Sequence, residues 1–211
     1  MDSVPKETFE SMYAGQAQWD IGRPQPAFLA VADQIIRSVL DAGCGTGDHA
    51  LYFASRSCQV TAIDFVEEAI SRAKKKAEDR NLPVTFLVKD ALELKDWSER
   101  FGNVIDLGLF HVFSDQDRQR YVEGLAAVLK QGGRLFLLCF SDEEPGTQGP
   151  RRVSKQELHA VFASGWVMES IQPARLEVIS HLTDMQFSEG GPKAWFAVIR
   201  RAGGAAGSGG P

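Results

Sequence analysis

The sequence predicts an α/β protein, a mostly parallel sheet with helices on both faces, and three observations carry that reading. Short apolar runs of strand type alternate with helical patterns along most of the 211 residues, the order that builds a parallel sheet covered on both sides. The first such run ends in a glycine-rich turn that opens onto a helical pattern. Late in the chain the alternation gives way to strand runs and the turn EGGPK, which predicts an antiparallel hairpin at the sheet edge.

Taken in order, residues 5–17 have helical spacing, with Phe9, Met12 and Tyr13 along one apolar stripe. WDIGRPQP, 19–26, reads as a loop because Gly22, Pro24 and Pro26 interrupt any regular pattern. Pro26 then suits the first turn of a helix running through PAFLAVADQII. Strands are expected at 38–40, 59–63, 84–88, 104–109, 134–140, 167–171, 176–185 and 194–199. Helical patterns at 48–55, 66–80, 116–129 and 155–164 separate them. One domain is expected over 1–201, and the low-complexity tail 202–211 is expected to be disordered.

The glycine-rich turn carries the chemistry. In SVLDAGCGTGDHALYFA, residues 38–54, Asp41 closes the apolar run, and Gly43, Gly45 and Gly47 punctuate the turn after it. Glycines there permit positive φ and let a ligand lie on bare backbone. A strand, such a turn and a helix N-terminus together make a nucleotide-type cofactor site. A dinucleotide fingerprint would place its third glycine at position 48, which is Asp48, where a carboxylate would face the pyrophosphate. G-x-G-x-G preceded by Asp41 suits a ligand without phosphates instead, one with a carboxylate for N–H groups and a cationic amino group for acids. S-adenosylmethionine has that chemistry.

The segment closely resembles the first motif of class I S-adenosylmethionine-dependent methyltransferases. That resemblance implies a Rossmann-like seven-stranded sheet with an antiparallel last strand, S-adenosylmethionine as methyl donor and S-adenosylhomocysteine as product. It also implies that Asp41, Gly43, Cys44 and Gly45 line the cofactor, and that residues 1–36 form helices capping it.

Further acids stand at strand ends. Asp64 ends VTAIDF, 21 residues beyond Gly43, where it can accept hydrogen bonds from ribose hydroxyls, with Phe65 beside it. Capping the helix that begins near Val66 is the other reading of Asp64. Asp90 ends FLVKD and is followed by Ala91. In the family such an acid receives the adenine amino group and the next N–H meets the ring; a helix or turn cap is again the alternative. Asp106 opens DLGLFHVFSD, a strand expected beside the first, with its end toward the sulfonium. Methyltransferases of nucleic acid bases or protein glutamine carry an Asn/Asp-Pro-Pro-aromatic element there. GLFH at 108–111 departs from it, which favours small molecules and assigns Phe110 to the cofactor.

His111 is the catalytic candidate. An imidazole at this strand end is suited to take a proton from an acceptor hydroxyl, or it packs on the cofactor or bonds a main-chain carbonyl. A phenol, quinol or thiol of low pKa needs no base, because displacement at an activated sulfonium can be driven by proximity and alignment.

The N-terminal segment carries a second resemblance. Trp19, Gly22, Arg23, Pro24 and Pro26 are similar to the W-D-x-G-x-P-x-P stretch of the thiopurine methyltransferase-like group. This implies a segment folded over the methionine end of the cofactor, with Arg23 pairing its carboxylate and Trp19 and Tyr13 walling the acceptor; a surface loop is the alternative. Phe9, Tyr13, Trp19, Phe110, Phe113 and Phe140 are expected near this edge and suggest a flat, apolar acceptor, although aromatics serve equally as core. Among them Tyr13, Trp19, Phe113 and Phe140, with His111, are the acceptor-binding candidates. The loop SDEEPGTQGPRRV, 141–153, is read either as a mobile flap or as an ordinary connection.

Composition narrows the classes. A net charge of −5 argues against nucleic acid as the main partner. The basic stretch from Arg72 to Lys76, with Arg80, is interleaved with acids and reads as a solvated helix face. Three cysteines in apolar or glycine-rich settings fit neither a zinc pattern nor a disulfide framework, and no metal is expected. His49 reads as structural. No run is long enough to span a membrane and no signal-peptide core is seen, so a cytoplasmic protein, a monomer or weak dimer, is expected. The expected function is methyl transfer to O, S or N of a small aromatic or heterocyclic phenol, quinol or thiol. Its rivals are a catalytically inactive S-adenosylmethionine-binding sensor or scaffold and a nicotinamide-dependent oxidoreductase.

Overall fold

Seven strands form one sheet in the order β3-β2-β1-β4-β5-β7-β6. They are β1 (Ser38–Ala42), β2 (Gln59–Asp64), β3 (Val84–Val88), β4 (Phe101–Leu107), β5 (Leu129–Phe140), β6 (Trp166–Arg175) and β7 (Lys193–Arg201). The computed structural model describes residues 2–182 and 185–203; residues 204–211 of the expected disordered tail lie outside the described residues. The first five strands pair in parallel, and β7 is antiparallel to both its neighbours. The fold is Rossmann-like with an antiparallel C-terminal pair.

Helices α1 (Lys6–Tyr13), α2 (Pro26–Leu29), α3 (Asp48–Ser55), α4 (Glu67–Arg80), α5 (Asp115–Val128) and α6 (Lys155–Val161) surround the sheet. Successive strand residues point to opposite faces, and β5 shows the consequence. Leu135, Leu137 and Cys139 enter one core with Tyr121, Leu125 and Trp195. Phe136, Leu138 and Phe140 enter the other with Phe28, Phe53 and Phe196. A continuous apolar run is what a strand buried on both faces requires.

Two expectations change. The helix expected from Ala27 stops after one turn at Leu29 and resumes only as a 3-10 turn at Ala32–Gln34. Of the strand expected at 176–185, residues 183 and 184 lie outside the described residues, and the others form no strand. β6 and β7 already pair as far as Arg175 with Lys193, so the intervening chain is a long connection rather than a tight turn. The Gln25 side chain takes the place of a partner strand there, accepting from the N–H of Glu177 at 2.8 Å and donating to its carbonyl at 2.9 Å.

Because β1 lies between β2 and β4, the connections leave its C-terminal end on opposite sides. That end is the topological switch point, where α/β sheets bind ligands.

Candidate cofactor and acceptor site

The glycine turn follows β1 and leads into α3. Gly43, Gly45 and Gly47 all have positive φ, at +72°, +53° and +84°. At Gly47 a Cβ would stand 2.9 Å from the Phe86 ring, so both the turn and its packing on β3 require glycine. Asp64 ties the turn down: its Oδ2 accepts from the Gly45 N–H and its Oδ1 from the Val66 N–H, both at 2.9 Å. Asp64 thus holds the turn rather than capping α4, whose start has no side-chain cap bond. Asp90 likewise accepts from the Leu92 N–H at 2.9 Å, and Ala91 begins the 3-10 turn beyond it.

Asp41 is the anomaly. It is buried, its Oδ2 has no hydrogen-bond partner, and the backbone N–H of Ala50 is the donor that faces it. Burial, with Asp64, Asp106 and Asp48 adding repulsion, pushes its carboxyl up to about 8. Asp106, fully buried, is raised to about 7 by burial, against the Leu109 N–H, Tyr121 hydroxyl and Phe110 N–H that donate to it. Through those bonds Asp106 fixes the turn that carries Leu109, whose side chain lies over Gly43.

Asp48 does not confront a ligand as the sequence implied. Lys76 of α4 reaches both its oxygens at 3.1 Å and also bonds Thr46 Oγ1. Arg72, one turn earlier, donates to the carbonyls of Gly15 at 2.7 Å and Tyr13 at 2.8 Å. The face read as merely solvated therefore braces the glycine turn and clamps the N-terminal segment. Sequence reasoning missed Lys76, Arg72, Thr46 and Gln25; the i, i+4 spacing of Arg72 and Lys76 was the available signal.

Under that clamp, Tyr13 is buried and its hydroxyl stands directly over Gly45. Trp19 Nε1 donates to it at 3.0 Å. Phe65 packs on Phe9 beneath α1. Cys44 is buried, and its main-chain N–H bonds Ile63 of β2. Arg23 pairs with Glu177 at 2.6 Å, so the guanidinium expected for a cofactor carboxylate already has an acidic partner. His49 is structural: its Nε2 accepts from the Gln25 N–H at 3.1 Å.

Across the switch point, Phe140 ends β5. Its ring meets His111 edge-on at 5.2 Å and Phe187 at 5.8 Å, with the Arg152 guanidinium over it at 5.0 Å. Phe110 and Phe113 are not in this wall, a correction to their expected roles. The 3-10 turn Phe110–Val112 sends Phe110 into the core against Phe162 and under Arg118, while Phe113 packs on Tyr121.

His111 is also corrected as a proton acceptor. Its Nδ1 accepts the Phe140 N–H at 3.0 Å, so a neutral ring carries its proton on Nε2 and has no free lone pair. Burial, then the charges of Arg118 and Arg152, push the imidazole down to about 3. The segment 141–153 is pinned rather than flap-like: buried Glu144 accepts from the N–H groups of Ser188 at 2.9 Å and Lys193 at 2.8 Å.

The turn fits S-adenosylmethionine on its own geometry. It offers a backbone turn at positive φ and, in Asp41 Oδ2, an orphaned buried carboxylate oxygen for an ammonium group. Comparison with known proteins agrees. Residues 39–133 match the family model of a methyltransferase domain. The 2-heptyl-1-hydroxyquinolin-4(1H)-one methyltransferase of Mycobacteroides abscessus is 35% identical over 184 residues, 81% of each chain. The chain belongs to the class I S-adenosylmethionine-dependent methyltransferases. Its methyl donor is S-adenosylmethionine, and the nicotinamide reading falls. A protein whose structure was solved for the conversion of a disulfide bond into a thioacetal group during echinomycin biosynthesis has TM-score 0.81 and 34% identity. That match covers 94% of this chain and 93% of the other. The 1,6-didemethyltoxoflavin-N1-methyltransferase of Burkholderia thailandensis, bound to its substrate and S-adenosylhomocysteine, shares the fold with TM-score 0.72 at 22% identity. It covers 93% of this chain and 87% of that one.

Among the described residues no three His, Cys, Asp or Glu gather as a metal site, and no helix is long and apolar enough to cross a membrane.

Proposed function

We propose that this methyltransferase acts on the O, S or N of a small aromatic or heterocyclic molecule: a phenol, quinol or thiol. The observation that supports the reading is the acid-lined cleft at the glycine turn, which Tyr13 and Trp19 share with Asp41, with the Phe140–His111–Phe187 rings grouped at the end of β5. A flat ring beside Trp19 and Tyr13 would gain offset or edge contact with them and set its nucleophile toward the donor. The hydroxyquinolinone acted on by the Mycobacteroides relative is such a ring.

When bound, S-adenosylmethionine supplies a methyl group on an activated sulfonium. Asp41 would meet its amino group, Asp64 its ribose through lone pairs not spent on the turn, and Asp90 with Ala91 its adenine. Gly43, Cys44 and Gly45 would line the cofactor as a turn already fixed by the Ile63 carbonyl and Asp64, and Phe65 would cover the ribose side. Arg23 and Trp19 would face the carboxylate once Arg23 exchanges Glu177 for it. Tyr13, Trp19 and Phe140 would enclose the acceptor and exclude water. Alignment then supplies most of the rate.

The test is incubation of the purified chain with S-adenosylmethionine and a panel of hydroxyquinolones, quinols, phenols and aromatic thiols, with mass spectrometry of the products. Methylated acceptor and stoichiometric S-adenosylhomocysteine are expected. Tight S-adenosylhomocysteine binding with no acceptor turned over across the panel would overturn the reading in favour of a sensor or scaffold.

A further inference from the structure

The wall beside Phe140 has an electrostatic character opposite to that of the glycine turn. Around the turn stand Asp20, Asp41, Asp48, Asp64 and Asp106, with Lys76 paired to Asp20 and Asp48 and Arg80 and Lys6 farther off. Around His111 stand two arginines. Arg118 of α5 is fully buried, donates through Nε to the Phe110 carbonyl at 3.2 Å, and lies 3.6 Å from Glu157; its Nη2 has no partner. Arg152, on the segment after β5, spends its bonds on the carbonyls of Glu144, Pro145 and Pro150, and among the described residues no carboxylate pairs it directly, the nearby Glu144 carboxylate acting from beyond ion-pair distance.

Between these arginines the imidazole has one direction left to act. β5 occupies Nδ1 through the Phe140 N–H. Nε2 therefore bears the hydrogen and points away from the Phe140 N–H that Nδ1 accepts. The ring edge carrying Nε2 lies against Gly108, just past the end of β4; a Cβ there would stand 3.3 Å from Nε2. Glycine at 108 lets the imidazole sit this close to the end of β4, one strand away from the glycine turn.

We propose that His111 is a hydrogen-bond donor to an acceptor that arrives already ionised, with Arg118 and Arg152 supplying the positive field that favours the anion. The inference rests on the proposed aromatic acceptor and deepens it: the substrate class is an acidic thiol or hydroxyl present as thiolate, phenolate or N-oxide anion. The proton leaves to solvent before binding. The anion then attacks the methyl carbon, the new bond forms as the carbon–sulfur bond breaks, and the electron pair returns to sulfur, giving neutral S-adenosylhomocysteine. No protein group takes up a proton, in keeping with the lack of a free lone pair on His111. A buried charge without such partners would be costly, and hydrogen bonds to charged groups are the stronger kind.

The experiment measures kcat/KM against pH for a series of ring-substituted thiophenols of graded acidity. The expected profile rises to a plateau at each acceptor's own pKa, so the inflection moves along the series. An inflection fixed at one pH for every acceptor would mean an enzyme base and would overturn the proposal. If no thiophenol is methylated, the proposed function fails first, and the two failures are thereby distinct. His111→Gln, which can still donate, should retain most activity, whereas His111→Leu should lose roughly ten- to a hundredfold in kcat/KM. The ionisation of 4-nitrothiophenol bound with S-adenosylhomocysteine, read from its absorbance, should shift to higher pH in His111→Leu alone. Equal losses in both variants with an unmoved spectrum would assign His111 a purely structural role.

Discussion

Asp41 concentrates the electrostatic problem of the cofactor site in one side chain. Its carboxyl sits with Asp64 on β2, Asp106 on β4 and Asp48 on α3, has one orphaned oxygen, and is held up to about 8 by burial and repulsion. At neutral pH it is therefore protonated in the free protein. An ammonium group placed beside it favours the carboxylate, so cofactor binding should expel a proton. Affinity accordingly rises as pH climbs toward about 8, because less free energy is spent removing that proton. Calorimetric titration with S-adenosylhomocysteine at pH near 7, in buffers of differing ionisation enthalpy, should report proton release. Asp41→Asn should abolish the release and weaken binding by roughly tenfold or more, the scale of one charge-assisted contact. An unchanged proton count in a folded Asp41→Asn protein would move the effect to the neighbouring buried acids raised in the same way, Asp106 foremost.

Elements hold the site together where single residues do not, and α4 is the case in point. Arg72 and Lys76 project from one face, the first onto the carbonyls of Tyr13 and Gly15, the second onto Asp48 and Thr46. Arg72→Met should free the N-terminal segment, because no other α4 side chain among the described residues donates to the Tyr13 or Gly15 carbonyl. Limited proteolysis should then cut before residue 25 much sooner than in the parent chain, and S-adenosylhomocysteine affinity should fall severalfold while the melting temperature moves little. Persistence of parental protease resistance would remove the clamp from the argument. Most elements were legible in the sequence because burial on both faces leaves unbroken apolar runs, as in β5, and because glycine and proline mark the ends. What was not legible depended on long-range partners. Residues 176–179 read as strand from their apolar spacing, yet they bond the Gln25 amide and the Gln18 carbonyl instead of the sheet. Phe110 and Phe113 read as pocket because of their position after β4, but a 3-10 turn rotates both inward. Ser154 and Glu157 form a capping box at the start of α6, and that cap orients Glu157 toward Arg151 and Arg118.

At the scale of the whole molecule the buried ionisable groups set how stability depends on pH. Asp41 and Asp106 have folded values near 8 and 7 against a reference of 3.8, so their stabilising contribution is complete at acid pH and is lost as pH rises through 7 and 8. His49 and His111 behave oppositely. Burial lowers His49 to about 4, and burial with the two arginines lowers His111 to about 3, from 6.5. Their contribution is complete above 6.5 and is lost as pH falls toward 4 and 3. Between about pH 4.5 and 6 the two pairs nearly cancel, and above that range the aspartates act with diminishing opposition. The free protein should therefore melt at a nearly constant temperature through mildly acid pH and progressively lower from pH 6.5 to 8.5, by about 2 kcal/mol of stability or several degrees. S-adenosylhomocysteine should shrink that alkaline loss, because its ammonium group compensates the charge that ionisation creates at Asp41. Asp41→Asn should flatten the same limb without any ligand, since Asn carries no proton to lose. Differential scanning calorimetry of the three samples across this range separates the contributions: an alkaline limb equally steep in Asp41→Asn would assign the loss to Asp106 and its Tyr121 bond, and would leave the acid cluster, rather than Asp41 itself, as the seat of the linkage.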